Sequence, residues 1–312
     1  MQGIDIARKF YFEHGEKMLK VEFPSLFPRL SIGLVGEGSE CFKFDDEISI
    51  DHDFEPGFCI FITKEDYEKF GFKLERAYAK LPKEFLGLKR SILSPTGGNR
   101  HGVIIANDFY QKFLGVNEIP NDNLWWLYTP SHSLATACNG EIFVDNLKEF
   151  SKNREILLKG YPEEIRIKKI AGHLLLMAQS GQYNYPRLVE RKETGASQLA
   201  IFEFVKHTIS VIYLLNNAFE PFYKWCYKGM RNLKILSELE PTLSTITELG
   251  NSKKEFEQKI EIIELVAKMV IEELKKQNLT SATCFNLETH AYSVNDKIKD
   301  GILRNLHILE GI

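Results

Sequence analysis

At 312 residues and 44% hydrophobic content, the chain can bury one large core or two ordinary ones. A net charge of −3 and a sequence pI near 6.3 supply no global basic field, which argues against tight non-specific binding to a long nucleic acid or an anionic membrane. Five scattered cysteines without C-x-x-C spacing signal neither a disulfide framework nor a zinc site, and a reducing cytoplasm is the expected compartment. The N-terminal segment is punctuated by charge from its eighth position, and no later stretch approaches the apolar length of a bilayer span, so neither secretion nor membrane insertion is expected.

Asp5 to Val21 has helical spacing and ends at the proline-containing PSLFPRL. A short strand, Ser31 to Val35, runs into Gly36, and FCIFI at 58–62 reads as a buried strand. Thr63 followed by an acidic first turn announces a long helix. Pro82 to His101 is loop-like, and a short helix is expected over Asn107 to Leu114. At Asn139-Gly140 two readings stand: a hairpin turn, or the end of a helix that starts at Pro130. EIFV is strand-like either way. From Arg154 onward long amphipathic segments dominate. The expectation is an α+β chain: a mixed sheet with helices over 1–150, then an all-helical bundle over 151–312.

The stretch GLVGEGSECFKFDDEISIDHDFEPGFCIFI, 33–62, carries the chemistry. If Gly38-Ser39 opens a short helix after the strand, free backbone N–H groups and the helix dipole face a bound phosphate. If Asp51 to Asp53 begins the next strand, its two carboxylates project to one face while His52 points away. Two carboxylates beside a phosphate form an oxygen cage suited to Mg²⁺, and a pair of such ions supports in-line nucleotidyl transfer.

Gly38-Ser39 followed after eleven residues by Asp51-His52-Asp53 resembles the signature of the polymerase-beta-type nucleotidyltransferase superfamily. GEGSECF, DDEIS and DHD are similar to an uncharacterised bacterial domain-of-unknown-function family placed within it. YLLNNAFEPFYKW, 213–225, resembles a segment of aminoglycoside-type adenylyltransferases whose lysine reaches the nucleotide phosphates; Lys224 holds that position. The resemblance implies that Gly38 and Ser39 hold the triphosphate, that Asp51 and Asp53 bind two Mg²⁺ ions, and that ATP is the donor. It also implies a third carboxylate as general base, for which Asp145 in IFVDN is the first choice and Glu141 the second. One departure stands out: Phe54-Glu55-Pro56-Gly57 separates the acids from the strand, and Pro56 cannot donate to a ladder.

Other residues read two ways. Arg187 and Arg191, at i and i+4 beside Tyr183 and Tyr185, either clamp phosphate or form a charged face with Glu190 and Glu193. Arg100-His101 beside Gly97-Gly98 forms an anion-binding lid or a plain loop. Trp125, Trp126 and Trp225 fit core packing better than an acceptor pocket. The chemistry expected is transfer of AMP from a nucleoside triphosphate to a small-molecule acceptor held between the two domains, with a homodimer expected by analogy. The rival is a non-catalytic nucleotide-binding regulatory or toxin–antitoxin-type module. The second half carries no Arg-x4-6-His motif of helical RNases, since Arg304 and His307 are too close.

Overall fold

The computed structural model describes residues 1–47, 55–90 and 100–312. Asp51, His52 and Asp53 lie outside these, as do Gly97 and Gly98. Helix α1 (Gly3–Phe10) runs through a π-helical turn (Tyr11–Gly15) into α2 (Glu16–Glu22), ending before Pro24. Then come β1 (Ser31–Leu34), β2 (Cys59–Ile62), α3 (Lys64–Ala79), β3 (Glu84–Phe85), β4 (Leu88–Lys89), β5 (Gly102–Ile105) and α4 (Ala106–Leu114). They are followed by α5 (Asn123–Tyr128), α6 (Ser131–Cys138), β6 (Glu141–Asp145) and α7 (Lys148–Leu157). The remaining elements are helical: α8 (Glu163–Met177), α9 (Tyr185–Glu190), α10 (Thr194–Leu215), α11 (Tyr223–Met230), α12 (Glu240–Glu248), α13 (Lys253–Lys276), α14 (Leu287–Asn295) and α15 (Gly301–Asn305).

Local chemistry accounts for several boundaries. Thr63 caps α3 through its hydroxyl, which accepts the Asp66 N–H, and Ser252 with Glu255 forms a capping box on α13. Within the loop-like 82–101 stretch a small hairpin forms at Glu84–Lys89, because Leu86 and Gly87 both take positive φ, the turn that matches strand twist.

The chain divides into two units, Met1–Asn121 with Pro130–Lys159, and Asp122–Thr129 with Gly160–Ile312. The expected boundary near 150 falls inside α7, which stays with the first unit, while α5 joins the second. The chain is α+β: the four-stranded sheet belongs to the first unit, and the second is helical throughout its described elements.

In the first unit the sheet order is β5-β2-β1-β6. β1 is antiparallel to both neighbours, and β2 is parallel to β5. One face of the sheet, with Ile32, Ile60 and Ile62, packs against Phe10, Tyr11 and Leu19 of the N-terminal helix and Leu74 and Tyr78 of α3. On the other face the Phe61 ring stacks on Phe150 of α7 at 3.8 Å and meets Phe109 of α4 edge-on. A strand covered on both faces explains why FCIFI carries no polar alternation.

The second unit is organised on α8, which packs against α10 and α14. Helix α10 is long and apolar enough to cross a bilayer, contrary to the expectation that no stretch approaches that length. It is a core helix, with 72% of its most apolar window buried. Buried lysines are satisfied locally: Lys168 donates to Asn295 Oδ1 and the Leu306 carbonyl, and Lys169 to the Gly311 carbonyl. Burial pushes Lys169 down to about 8.

His173 of α8 and His207 of α10 meet with Nδ1 atoms 2.9 Å apart, while His207 Nε2 lies 3.1 Å from a Glu203 carboxylate oxygen. Two facing Nδ1 atoms share one proton. The consistent assignment has His207 donating from Nε2 to Glu203 and accepting at Nδ1 from His173. Burial lowers both: His173 well below 6.5, helped by His207, Lys169 and Lys206, and His207 to about 4, helped by Lys206 and opposed by Glu203. The unfolded chain therefore binds protons below pH 6.5 that the folded pair refuses, so stability falls as pH drops. The loss accumulates as the pH falls from 6.5 toward about 4, where His207 begins to take up its proton in the folded chain. Denaturant midpoints across that window should fall less steeply in His207→Phe; a variant profile parallel to the wild type removes the pair from the acid response.

Candidate functional site

At the end of β1 the chain turns through Gly36 (φ +104°) and Gly38 (φ +123°), values that side-chain-bearing residues rarely adopt. A Cβ on Gly38 would run into the Arg100 guanidinium and the Glu40 carboxylate. The chain then makes one three-residue 3₁₀ turn, Glu40–Phe42, closed by Lys43 in the left-handed region. Ser39 has helical dihedrals and makes no capping bond through its side chain. The short helix expected to open at Gly38-Ser39 is thus a single 3₁₀ turn, too short to build a useful macrodipole.

The turn is held from the α6–β6 corner. Asn139 Oδ1 accepts the Gly36 N–H at 2.8 Å, and its Nδ2 donates to the Gly36 carbonyl at 2.7 Å. Gly140 (φ +65°) donates its N–H to the Cys41 carbonyl at 2.7 Å, and a Cβ there would strike the Leu34 carbonyl. Arg154 donates to the carbonyls of Cys138, Asn139 and Gly140, covering the end of α6. Of the two readings of Asn139-Gly140, the helix end is the one adopted. Nothing in the sequence pointed to the clamp on Gly36: an Asn-Gly pair signals a turn and does not name a partner 103 residues away.

The two candidate bases do not come together. Asp145 pairs with Ser31 and Glu141 with Leu34, so Glu141 stands at the turn end of β1 and Asp145 about 10 Å along the strand. A bulge between Ile32 and Gly33 leaves Phe143 unpaired and shifts the alternation. Glu141 thus shares the face of Ile32 and Leu34, and Asp145 that of Ser31 and Gly33. The Ser31 hydroxyl donates to Asp145 at 2.9 Å. Glu141 is gripped by Arg8 of α1, whose Nε donates to Oε1 at 2.9 Å and whose Nη2 donates to Oε2; Asp5 braces the same guanidinium at 2.8 Å. The Glu141 hydrogen bond is the largest cause holding Arg8 above its ordinary value.

Arg100 lies across the glycine turn. Its Nε and Nη2 donate to the Glu37 carbonyl at 3.2 and 3.0 Å, and Nη2 forms an ion pair with Glu40, whose side chain is 7% exposed. Glu37 itself pairs with Lys112 of α4 at 2.9 Å. Next in sequence, buried His101 places Nδ1 3.4 Å from a Glu55 carboxylate oxygen, and Gly57 gives the ring room, since a Cβ would lie 2.7 Å from Nδ1. The expected metal-binding acids are in 48–54, outside the described residues; among the described residues no group of three His, Cys, Asp or Glu could hold a metal ion.

The remaining candidates belong to the second unit. Lys224 is exposed in the first turn of α11 with Nζ 5.0 Å from the Trp225 ring centroid. Arg187 lies on α9 with its guanidinium 3.8 Å over the Tyr183 ring, and Arg191 is the C-cap residue of the same helix. Tyr185 is wholly buried, and burial pushes its hydroxyl up to about 12. Trp126 packs against Tyr161 and Phe219, the core role expected of it.

Residues 126–226 match the family described as "Domain of unknown function (DUF4037)". The match contains the 213–225 segment with Lys224 and the α6–β6 corner, and stops well short of Gly38 and the acid pair. No curated protein matches this chain. Among solved structures it is similar to a nucleotidyltransferase-like protein from Exiguobacterium sibiricum 255-15, at 9% identity over 90% of each chain with a TM-score of 0.37.

Replacing Asn139 by Ala should lower unfolding stability by about 1–3 kcal/mol, because it leaves the Gly36 N–H and carbonyl without these partners. Asn139→Asp keeps the acceptor for the Gly36 N–H but sets a carboxylate against the Gly36 carbonyl, and should be no more stable than the alanine variant. Denaturant unfolding orders the three proteins; an alanine variant as stable as wild type rules out the clamp.

Proposed function

We propose that this chain is a Mg²⁺-dependent nucleotidyltransferase that transfers AMP from ATP to a hydroxyl or phosphate oxygen of a small-molecule acceptor. The observation that carries the reading is the convergence at one end of the sheet. β1 ends there in the two-glycine turn, antiparallel β2 starts there six residues after Asp53, and the adjacent strand β6 brings Glu141.

In this reading Asp51, Asp53 and Glu141 supply carboxylate oxygens, the ligand type Mg²⁺ prefers, and the glycines keep the turn open to a phosphate chain. The bound ions would neutralise triphosphate charge and lower the pKa of the attacking hydroxyl. The acceptor oxygen bonds to the α-phosphorus, the bond to the bridging oxygen breaks, and pyrophosphate leaves with its electron pair. Glu141 takes the place of Asp145 as proton acceptor, on position alone. Each Glu141 oxygen keeps a lone pair beyond its bond to Arg8, so it can still receive a proton or serve as ligand. Gly38 and Ser39 line the phosphate path.

The Arg8–Glu141 pair favours one second reading, a module that binds nucleotide without transferring it. The guanidinium engages both Glu141 oxygens at once, which suits a carboxylate that holds position more than one that collects the acceptor's proton.

Calorimetry should show ATP binding that requires Mg²⁺ and disappears in Asp51→Ala/Asp53→Ala. With acceptor present, Glu141→Gln should slow pyrophosphate release by about 10²-fold or more while Asp145→Asn stays within a few-fold. Equal binding by the double mutant sinks the metal assignment. Tight Mg²⁺-dependent binding with no pyrophosphate release across an acceptor screen selects the second reading.

A further inference from the structure

The guanidinium of Arg100 lies against the two-glycine turn. It rests on the turn that Gly38 leaves open, bonded twice to the Glu37 carbonyl, with its charge met by nearly buried Glu40. We propose that Arg100 and Glu40 form a displaceable latch: Arg100 is the phosphate-chain receptor of the turn, and Glu40 is the internal anion that an incoming polyphosphate replaces. This inference rests on the nucleotidyltransferase reading and adds a residue and a competition to it.

Three observations point the same way. First, the contact is possible only because position 38 has no side chain. A Cβ there would collide with both partners, so the glycine makes room for the pair as well as for the turn. Second, an arginine fork binds phosphate and carboxylate oxygens through the same parallel N–H donors, which lets one anion exchange for the other without moving the scaffold. Third, the other acid of this turn, Glu37, directs its carboxylate to Lys112 and offers Arg100 only its carbonyl, so Glu40 is the carboxylate of the turn that meets Arg100. A nearly buried carboxylate without its cation bears the cost of desolvation, so displacement requires Arg100 to stay close enough to serve both anions, or Glu40 to turn outward.

The latch predicts opposite effects from its two halves, a result that a purely structural ion pair does not produce. Binding of Mg²⁺·ATP and of inorganic tripolyphosphate is measured by calorimetry for wild type, Arg100→Gln, Arg100→Lys and Glu40→Gln, with adenosine as the phosphate-free control. Arg100→Gln should weaken both polyphosphates about tenfold or more, the loss of charge-assisted hydrogen bonds, with Arg100→Lys intermediate. Glu40→Gln, close to isosteric and still able to accept from Arg100, should tighten both by about threefold or more, the competitor having lost its charge. Adenosine affinity should be unchanged throughout.

If Glu40→Gln weakens polyphosphate binding in step with Arg100→Gln, or if Arg100→Gln binds as wild type does, the latch is refuted. In the latter case, binding still lost in Asp51→Ala/Asp53→Ala leaves the nucleotidyltransferase reading standing. If wild type binds neither polyphosphate, both fall together.

Discussion

Two glycines in left-handed conformations cannot hold a turn by themselves, since their backbone is the freest in the chain. The shape at the end of β1 is imposed from outside, by the paired hydrogen bonds of Asn139 to Gly36. That asparagine is in turn fixed by Arg154, which gathers the three carbonyls at the end of α6. Burial lowers the Arg154 guanidinium from its ordinary value, a cost offset by charge-assisted bonds to carbonyls that would otherwise be orphaned. The geometry of the candidate site therefore depends on a corner that carries none of its expected chemistry.

Around this corner three acids each meet a guanidinium or ammonium group: Glu141 meets Arg8, Glu40 meets Arg100, and Glu37 meets Lys112. These pairs are not equivalent. Glu37 and Lys112 are both more than half exposed and contribute little to stability, whereas Glu40 is nearly buried and depends on its partner. Pairing with Leu34 puts Glu141 at this end of the sheet, and the bulge in the β1–β6 ladder turns it to the opposite face from Asp145. Without it Glu141 and Asp145, four residues apart, would share a face.

The helical unit handles buried charge differently. Its core helices carry lysines and histidines inward, and each finds a carbonyl, an amide or another imidazole. Lys168 and Lys169 of α8 tie down the carbonyls of Leu306 and Gly311, so the C-terminal segment is held by charges on a core helix. The apolar run of α10 has membrane-like composition because its neighbours cover it, and it is punctuated by His207 and Lys206 where polar partners exist.

Much of the framework was legible in one dimension. Helical spacing with a Thr63 cap located α3, an uninterrupted FCIFI run located β2, and long amphipathic periods marked the helical half, because each depends on neighbours within a few residues. The glycines of the β1 turn were legible for the same reason, since their value is conformational and local. Whether Ser39 opened a true helix was not, because a single turn and the start of a long helix share the same first residues. The pairing of Asn139 with Gly36, of Arg100 with Glu40 and of Arg8 with Glu141 spans 60 to 133 residues of chain. So does the choice between Glu141 and Asp145, which rests on the register of β6 against β1. The sequence by itself determined the elements, the glycine turn and the inventory of charges; the tertiary structure alone decided which charges meet, because complementarity between distant side chains is set by sheet register and helix packing, and neither is written within a local window of residues.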